Sequence, residues 1–337
     1  MISLIIRRLA AVVGMLFVIS IITFGIFFAA PNDPASLTCG RECTVETLEA
    51  NRIAMGLDKP ITVQYANMVK GLFTDRYYPD DPVLRERAPE TVVVCEAPCL
   101  GYSFLKQKEV SSLVADALPV TVSLALGAFV LWMIVGVGAG VLAATRRGSW
   151  IDRGLVGAAL IGYSLPTFFV GLLFLTFISI RWGWLPIPYY TPFVEDPLAW
   201  ATGLILPWSA LAVVLAAGYV RLSRAYMIES LGEDYIRTAR AKGVRERSIT
   251  VKHALRASLT PVITMAGLDL GGLLGGMIVT EQIFGLRGLG QLAIDAVTNV
   301  DLPVIVAVVL IAATAYTLAN LAVDLIYGII DPRVRHA

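Results

Sequence analysis

The sequence has little of what a soluble enzyme needs. Only 16% of its 337 residues are charged, whereas 57% are hydrophobic, a balance that a water-facing surface hardly sustains. Histidine occurs twice, as His253 and His336, so a histidine-centred catalytic or metal site has almost no material. The net charge is +1 and no basic patch alternates with aromatic residues, which argues against nucleic-acid binding. We expect a membrane protein that is not an enzyme and holds no metal.

A nucleotide-binding loop is also missing. The phosphate-binding motif GxxxxGK[ST] requires a Gly-Lys dipeptide, and the sequence contains none. If ATP drives this protein, the ATPase is therefore a separate polypeptide.

Long apolar runs, in contrast, are plentiful. Six runs are long enough to cross a hydrocarbon core of about 30 Å as helices. They are residues 9–30, 119–145, 154–180, 201–221, 258–281 and 303–330. The first run exceeds the roughly 7–15 apolar residues of a signal peptide, so we expect a retained helix. The predicted fold class is an all-α membrane protein with six transmembrane helices.

Basic residues are concentrated on one side of these spans. With the N-terminus in the cytoplasm, the cytoplasmic segments hold 16 of the 27 lysine and arginine residues and only six acidic ones. Those segments are residues 1–8, 146–153, 221–257 and 331–337. The short external loops, residues 181–200 and 282–302, carry one basic residue each. The positive-inside rule therefore places both termini in the cytoplasm.

The loop distribution divides the chain into four parts. They are an N-terminal helix (1–30), an exported insertion (31–112), a transmembrane domain (113–330) with a cytosolic loop (222–257), and a cytosolic tail (331–337). The insertion contains many prolines and one helix-like stretch near Val45–Met55.

All four cysteines lie in the exported insertion. They are Cys39, Cys43, Cys95 and Cys99. An oxidising compartment favours disulfides, although the two CxxxC spacings leave a four-thiolate zinc site as the alternative. Four cysteines allow three pairings. In the chain-entropy model a bridge between the two CxxxC pairs contributes about 4 kcal/mol and a local bridge about 2 kcal/mol, so thermodynamics favours cross-pairing.

The cytosolic loop has the pattern of a helix. Its apolar face comprises Ile228, Leu231, Tyr235 and Ala239, and its charged face comprises Glu229, Glu233, Arg237 and Arg240. Glu233 is spaced to pair with Arg237, and Gly243 is expected to end the helix before a second, basic one. A solvated or lipid-surface helix fits these residues, but the small residues between Thr238 and Gly243 suit docking against another protein.

Several motifs follow one another along the chain. The segment Ala239-Arg-Ala-Lys-Gly243, followed by His253-Ala-Leu-Arg and Pro261, resembles the "EAA" loop of permease subunits in ATP-binding-cassette (ABC) importers of the oligopeptide, dipeptide and nickel branch. Other signatures of that branch correspond to RRGSWIDR (146–153), YSLPTFFVG (163–171), DYIRTARAKG (234–243), LGGLLGGMIVTEQIF (270–284) and GLGQL (288–292). The resemblance covers all six spans and implies the type I ABC importer permease architecture, here with a long extracytoplasmic insertion between helices 1 and 2.

The resemblance also implies a role for the cytosolic loop. In such permeases it forms coupling helices that sit in a cleft of the cytosolic ATPase. By position, that role falls on Arg237, Thr238, Ala239, Lys242, Gly243, Val244 and Arg245. The sequence departs from the general motif at Arg237, where a Glu is named, and at His253 and Arg256, where Ile and Pro are typical. These departures fit the peptide branch.

The apolar spans contain a few polar or helix-breaking residues. Small residues at Gly267, Gly271 and Gly275 predict a close helix contact, as do Gly136 and Gly140 more weakly. A carboxylate that faces lipid carries a high energetic cost. We therefore expect Asp269 either to line the translocation path or to bond with a neighbouring helix. The remaining candidates for a path or gate are Tyr163, Ser164 and Pro166, where we expect a kink, and Glu281 and Gln282 near the external face.

The resemblance completes the predicted function. It implies a subunit that imports peptides by alternating access in the inner membrane, in contact with membrane lipid. Its partners would be a second homologous permease subunit, two cytosolic ABC ATPase subunits that bind ATP and Mg²⁺, and an extracytoplasmic solute-binding protein. The chain itself would bind no cofactor, and its insertion would be a docking platform or a passive spacer. Alternative solutes are nickel, glutathione, haem or oligosaccharide, and a proton-coupled transporter using Asp269 is the alternative mechanism.

Overall fold

The computed structural model describes residues 2–29, 34–38, 44–274 and 277–330. Its helices, in chain order, are α1 (Ile2–Ala29), α2 (Pro34–Thr38), α3 (Val45–Met55), α4 (Ile61–Gly71), α5 (Pro82–Arg87), α6 (Val110–Thr145), α7 (Trp150–Ser164), α8 (Thr167–Leu173), α9 (Pro197–Gly232), α10 (Asp234–Ala241), α11 (Glu246–Ser248), α12 (Leu255–Leu274), α13 (Ile278–Phe284), α14 (Leu289–Thr298) and α15 (Leu302–Ile330). A 3₁₀ turn covers Pro89–Thr91, and π-helical turns cover Phe174–Arg181 and Ile249–Ala254.

The chain forms two compact units. The first comprises Met1–Pro119 and Arg287–Thr314, and the second comprises Val120–Leu286 and Ala315–Ala337. The first unit also holds two short antiparallel strand pairs. These are β1 (Arg76–Tyr78) with β2 (Val93–Cys95), and β3 (Tyr102–Ser103) with β4 (Lys108–Glu109).

The helix predicted near Val45–Met55 is confirmed as α3 with those bounds. A capping box starts it, because the Thr44 hydroxyl accepts from the amide of Thr47 while the Thr47 hydroxyl accepts from the amide of Thr44. Gly56 ends it at φ +69°, a conformation that favours glycine. The segment predicted to be an exported insertion is therefore an ordered part of the first unit over its described residues.

A local disulfide joins Cys95 to Cys99, with 5.5 Å between their Cα atoms. The preference for cross-pairing, and the alternative of a zinc site, are therefore wrong for these two residues. The loop-closure model favours a long bridge but takes no account of geometry. Here the chain turns back between Cys95 and Cys99, which brings the two sulfurs together. Cys39 and Cys43 lie outside the described residues.

Among the described residues, four helices are long and apolar enough to cross a membrane, or five if a bent pair counts as one span. The four are α6, α9, Glu246–Leu274, and Leu302–Ala322 within α15. The bent pair is Trp150–Ser164 with Thr167–Arg181, at an angle of 100°. α1 contributes a shorter apolar segment, Ala10–Ile26. The kink predicted at Pro166 is confirmed.

Two predicted spans have different ends in the structure. The fifth, predicted as 258–281, ends at Leu274 in α12, and the chain resumes as a helix at Ile278 in α13. The fourth, predicted as 201–221, continues to Gly232. Hydropathy locates apolar residues, whereas a helix continues wherever its backbone hydrogen bonds do.

The second unit is built around α9, which packs against α7, α8 and α12. Glycines let α6 approach α9 closely. A Cβ on Gly136 would lie 2.6 Å from the Cβ of Tyr219, and one on Gly140 would lie 2.7 Å from the Cβ of Ser223. The contact predicted for Gly271 is also confirmed, since a Cβ added there would lie 3.1 Å from the Tyr316 ring and 3.2 Å from the Ala319 Cβ on α15. Gly275 lies outside the described residues. Small residues thus set these helix contacts, as lipid-solvated packing requires.

Candidate functional site

The loop predicted to be cytosolic, residues 222–257, begins as a direct extension of α9. α9 runs without interruption to Gly232, Glu233 adopts an extended conformation, and α10 starts at Asp234. This break changes the helical register, so the predicted Glu233–Arg237 pair is wrong. Arg237 instead lies 3.3 Å from a carboxylate oxygen of Asp234. The prediction that Gly243 ends the helix is confirmed, because α10 stops two residues earlier and Gly243 has φ +74°.

A buried apolar cluster holds α10 in place. Ile236 and Ile249 are fully buried there beside Met227, Ala144 and Ala254. The inward residue is thus Ile236 and not Tyr235, which is 45% exposed. The Ser230 hydroxyl on α9 adds polar links, one to the Tyr235 hydroxyl at 2.9 Å and one to the Ala254 carbonyl at 3.0 Å. α10 is therefore fixed to the C-terminal end of α9 and to the π-helical turn Ile249–Ala254 that precedes α12.

The residues assigned to coupling separate into two groups. Those with exposed side chains or backbone are Arg237, Thr238, Lys242, Gly243 and Arg245. Ala239 and Val244 are partly buried and pack against the Ile236 cluster. Beside them, the Arg240 guanidinium donates two hydrogen bonds to the Glu246 carboxylate, at 2.8 and 3.3 Å. This hydrogen bonding raises the pKa of Arg240. The outer face of α10 is polar and open to a partner.

An ion pair joins α7 to α9 near the same end. The Arg224 guanidinium donates to both oxygens of Asp152, at 2.6 and 2.9 Å, and the Gly148 amide donates to one of them at 2.8 Å. Asp152 is 4% exposed. The pair connects RRGSWIDR to the helix that leads into the predicted coupling loop. No local sequence pattern reveals this pair, because its members are 72 residues apart.

Asp269 on α12 accepts a hydrogen bond from the Tyr219 hydroxyl on α9, at 2.6 Å. Of the two alternatives, the bond to a neighbouring helix is thus present, and the translocation path stays a prediction. The Tyr219 ring lies 6.1 Å from the fully buried ring of Trp132. The indole N–H of Trp132 has no hydrogen-bond partner in the described part of the chain.

The kink at Pro166 exposes polar and aromatic groups. Tyr163 is 62% exposed, Ser164 is exposed and donates to the carbonyl of Leu160 at 2.8 Å, and Leu165 takes an extended conformation. The bend therefore interrupts helical hydrogen bonding at this point.

Glu281 is placed differently from expectation. We expected an interfacial residue at the end of the fifth span, but Glu281 is 0% exposed on the separate helix α13. The Thr121 hydroxyl of α6 donates to it at 2.7 Å. Gln282 is exposed. A buried carboxyl with a bond to another helix stabilises the position of α13.

Candidate metal ligands are not brought together. Among the residues that the structure describes, no group of three or more His, Cys, Asp or Glu side chains is placed to hold a metal ion.

Two family models match the chain. The model described as "Binding-protein-dependent transport system inner membrane component" matches residues 136–336, and a model for the N-terminal part of such membrane components matches residues 1–125. The chain belongs to this family. It is therefore a multi-pass inner-membrane component of a binding-protein-dependent transport system.

Relatives of this permease family match along the full length. A putative peptide transport system permease protein of Brucella abortus is 39% identical over 336 residues, covering 100% of both chains. A probable peptide ABC transporter permease of Sinorhizobium fredii is 34% identical over 98% of this chain and 99% of its own. A glutathione transport system permease of Escherichia coli is 35% identical over 340 residues, covering 100% of both.

A solved structure supports the permease fold. The methionine ABC transporter in an inward-facing conformation matches with a TM-score of 0.51 and 19% identity, over 66% of this chain and 97% of that chain. At that identity the likeness concerns the fold alone. The permease architecture therefore rests on the family models, the relatives and this structural match together.

Proposed function

We propose that this chain is one permease subunit of an ATP-driven importer that moves peptides into the cytoplasm by alternating access. The observation that carries the proposal is the attachment of α10. Buried Ile236 fixes this helix to the end of α9 and to the π-helical turn that leads into α12, while the polar residues on its other face stay exposed. A force applied to α10 is therefore transmitted to two membrane helices.

In this proposal six segments cross the membrane and both termini are cytoplasmic. The segments are α1, α6, the bent pair of α7 and α8 with its π-helical turn, α9, α12 and α15. The long insertion is external, and a second homologous permease, two ABC ATPases and a solute-binding protein complete the complex. ATP and Mg²⁺ bind to the ATPases, so this chain binds no cofactor of its own.

The geometry supports the following sequence of movements. Closure of the ATPases on ATP displaces α10, and α9 moves with it because Ile236 and Ser230 connect the two. The Arg224–Asp152 ion pair passes that displacement to α7 and to the bend at Pro166. Asp269, Tyr163, Ser164, Glu281 and Gln282 are then the candidate path and gate residues whose exposure changes.

Peptides are the favoured solute because the Brucella and Sinorhizobium relatives carry peptide transport in their names. Glutathione, itself a small peptide, is the second candidate because the relative from Escherichia coli is a glutathione permease.

Reconstitution tests this proposal. The complex, purified with its ATPases and binding protein, is placed in proteoliposomes, and uptake of a labelled dipeptide and of glutathione is measured with ATP, with a non-hydrolysable analogue, or with a proton gradient. We expect dipeptide uptake with ATP alone. Uptake that follows the proton gradient and is abolished by Asp269→Asn would instead establish a secondary transporter, and uptake of glutathione only would reassign the solute.

A further inference from the structure

Strand β1 brings a cation and an aromatic ring onto one face of the first unit. Arg76 and Tyr78 are two residues apart, so their side chains point to the same side of the strand. The guanidinium carbon of Arg76 lies 5.0 Å from the ring centre of Tyr78. Arg76 pairs with Cys95 across the sheet, and Cys95 is bonded to Cys99. The disulfide therefore anchors the strand next to the position of Arg76.

Three aromatic rings form a wall beside this cation. Tyr78 stacks on Tyr102 at 5.4 Å, and Phe104 packs edge-on against both, at 6.0 and 5.1 Å. Burial raises the pKa of Tyr78 to about 12, so the phenol is neutral at physiological pH and does not neutralise Arg76.

The wall encloses a cavity of about 100 Å³ that lies wholly within the first unit. Its other lining is mainly apolar and includes Leu57, Met68, Leu100 and Leu302. Arg76 also lines a second, more open and polar cleft of about 370 Å³, together with Lys70 and Arg85. Arg76 thus stands between a small apolar cavity and a polar cleft.

The charges around the cavity leave Arg76 without a counter-ion. Asp80 is already paired with Lys59, and Asp301 accepts a hydrogen bond from the Ser103 hydroxyl. Arg76 has no ion pair among the described residues, and its recorded electrostatic contact is the Tyr78 ring. Asp75, which lines the cleft, accepts a hydrogen bond from the Ala97 amide. A partly buried guanidinium that forms no ion pair can hold an anionic group, preferentially a planar carboxylate.

We propose that this cavity binds the carboxyl-terminal residue of a peptide, with its carboxylate on Arg76 and its apolar side chain in the cavity. The volume sets the size of the side chain, since cavities of about 150 Å³ in other proteins hold benzene, and 100 Å³ therefore suits a branched aliphatic group. The remainder of the peptide extends into the polar cleft. A fatty acid shares the carboxylate and apolar chemistry, but a long acyl chain exceeds the cavity.

The test measures binding to the full chain in lipid nanodiscs, without ATP or ATPases. The probes are the dipeptide Ala-Leu, its C-terminal amide, and octanoate, each followed by equilibrium dialysis. Arg76→Gln removes the charge and keeps the stem. Arg87→Gln is the control, because Arg87 is an exposed arginine of the same unit that lines neither the cavity nor the cleft. Leu105→Trp, at a cavity-lining residue that is 39% exposed, narrows the cavity without touching the charge.

We expect Ala-Leu to bind the wild type and Arg87→Gln alike. It should bind Arg76→Gln and Leu105→Trp at least about tenfold more weakly, as loss of a charge-assisted hydrogen bond predicts for Arg76. The amide should bind the wild type as weakly as Ala-Leu binds Arg76→Gln. Equal binding of acid and amide, equal effects of the two arginine variants, or binding of octanoate alone would overturn the proposal. The choice of a peptide probe rests on the proposed function. Because this assay uses neither ATP nor transport, its failure and the failure of peptide import are distinguishable.

Discussion

At the scale of single residues, the Asp152 carboxylate shows how this chain stabilises a charge at a helix contact. It accepts two hydrogen bonds from Arg224 and one from the Gly148 amide. A buried charge that loses its partner is more costly than a pair removed as a whole, because the remaining charge stays desolvated.

A double-mutant cycle follows from this arrangement. Arg224→Met alone leaves the Asp152 carboxylate unpaired, and Asp152→Asn alone leaves the guanidinium unpaired, so we expect both single variants to lower the melting temperature. The double variant should lose less than the sum of the two. Thermal unfolding of the purified chain in detergent measures this, and strictly additive losses would show that the two groups do not interact.

Asp301 provides a pH-dependent prediction in the first unit. Burial is the main cause that raises the pKa of this carboxyl above its usual value, against the lowering effect of the Ser103 hydrogen bond. The folded state therefore holds the proton more tightly than the unfolded state. Its stabilising contribution is complete below the ordinary carboxyl pKa of about 4 and is lost as the pH rises through the higher folded value.

The variant Asp301→Asn removes this titration. We therefore expect the stability of the wild type, relative to Asp301→Asn, to decrease between about pH 4 and neutrality. Melting temperatures of both proteins across that range test the sign. A wild type that gains stability relative to the variant as the pH rises would contradict it.

Residue-level predictions succeeded where the reason was local. Gly243 was identified because a helix end at positive φ favours glycine, and Pro166 because it cannot continue a helix. The Tyr219 partner of Asp269 and the Thr121 partner of Glu281 are 50 and 160 residues away. No local pattern encodes such pairs. Tyr235 was placed inward because the break at Glu233, which shifts the register, has no strong sequence signal.

At the scale of elements, the contact between α6 and α9 depends on two glycines. Gly140 lies against Ser223 and the carbonyl of Val220, both at 2.7 Å from an added Cβ. Gly138, on the same helix, has nothing within 4 Å. Helices that meet this closely have no room for a larger side chain.

We expect Gly140→Leu to destabilise the second unit by about 1–3 kcal/mol, the usual result of overpacking. Gly138→Leu is the matched control and should leave the melting temperature nearly unchanged, because its side chain enters open space. Thermal unfolding of both variants compares them directly. A similar loss for Gly138→Leu would show that helix propensity, and not the contact, decides the outcome.

Helix existence was predictable, but helix ends were not. The apolar runs located α6, α9 and α15, because each must be long enough to cross a bilayer. The run at 119–145 did not show that α6 begins at Val110, and the run at 201–221 did not show that α9 reaches Gly232. Both extensions contain polar residues, which water solvates equally well in a helix and in a coil. Hydropathy therefore does not show where these helices end.

At the scale of the whole molecule, composition was enough to predict a helical membrane protein, since 57% hydrophobic and 16% charged residues leave few alternatives. The structure of the first unit could not be predicted from composition. Its short strands, its aromatic wall and its Cys95–Cys99 bridge depend on which segments meet, and neither hydropathy nor cysteine spacing determines that. Six spans, the partner subunits and the peptide solute belong to the proposed function.

The central claim is that α10 couples ATP hydrolysis to transport, and substitution of Gly243 tests it most directly. Gly243 is exposed, has φ +74°, and an added Cβ meets nothing within 4 Å. Gly183 matches it in all three respects, with φ +62°, but lies in a predicted external loop. Asp at either site carries the same backbone strain of roughly 1 kcal/mol, so only the docking surface distinguishes the two.

The measurement is peptide-stimulated ATP hydrolysis and peptide uptake by the reconstituted complex for the wild type, Gly243→Asp and Gly183→Asp. We expect Gly243→Asp to assemble and keep its basal hydrolysis but to lose stimulation and uptake at least about tenfold, as a charge placed in a docking interface requires. Gly183→Asp should behave as the wild type. Unchanged coupling in Gly243→Asp, or an equal loss in both variants, would contradict it.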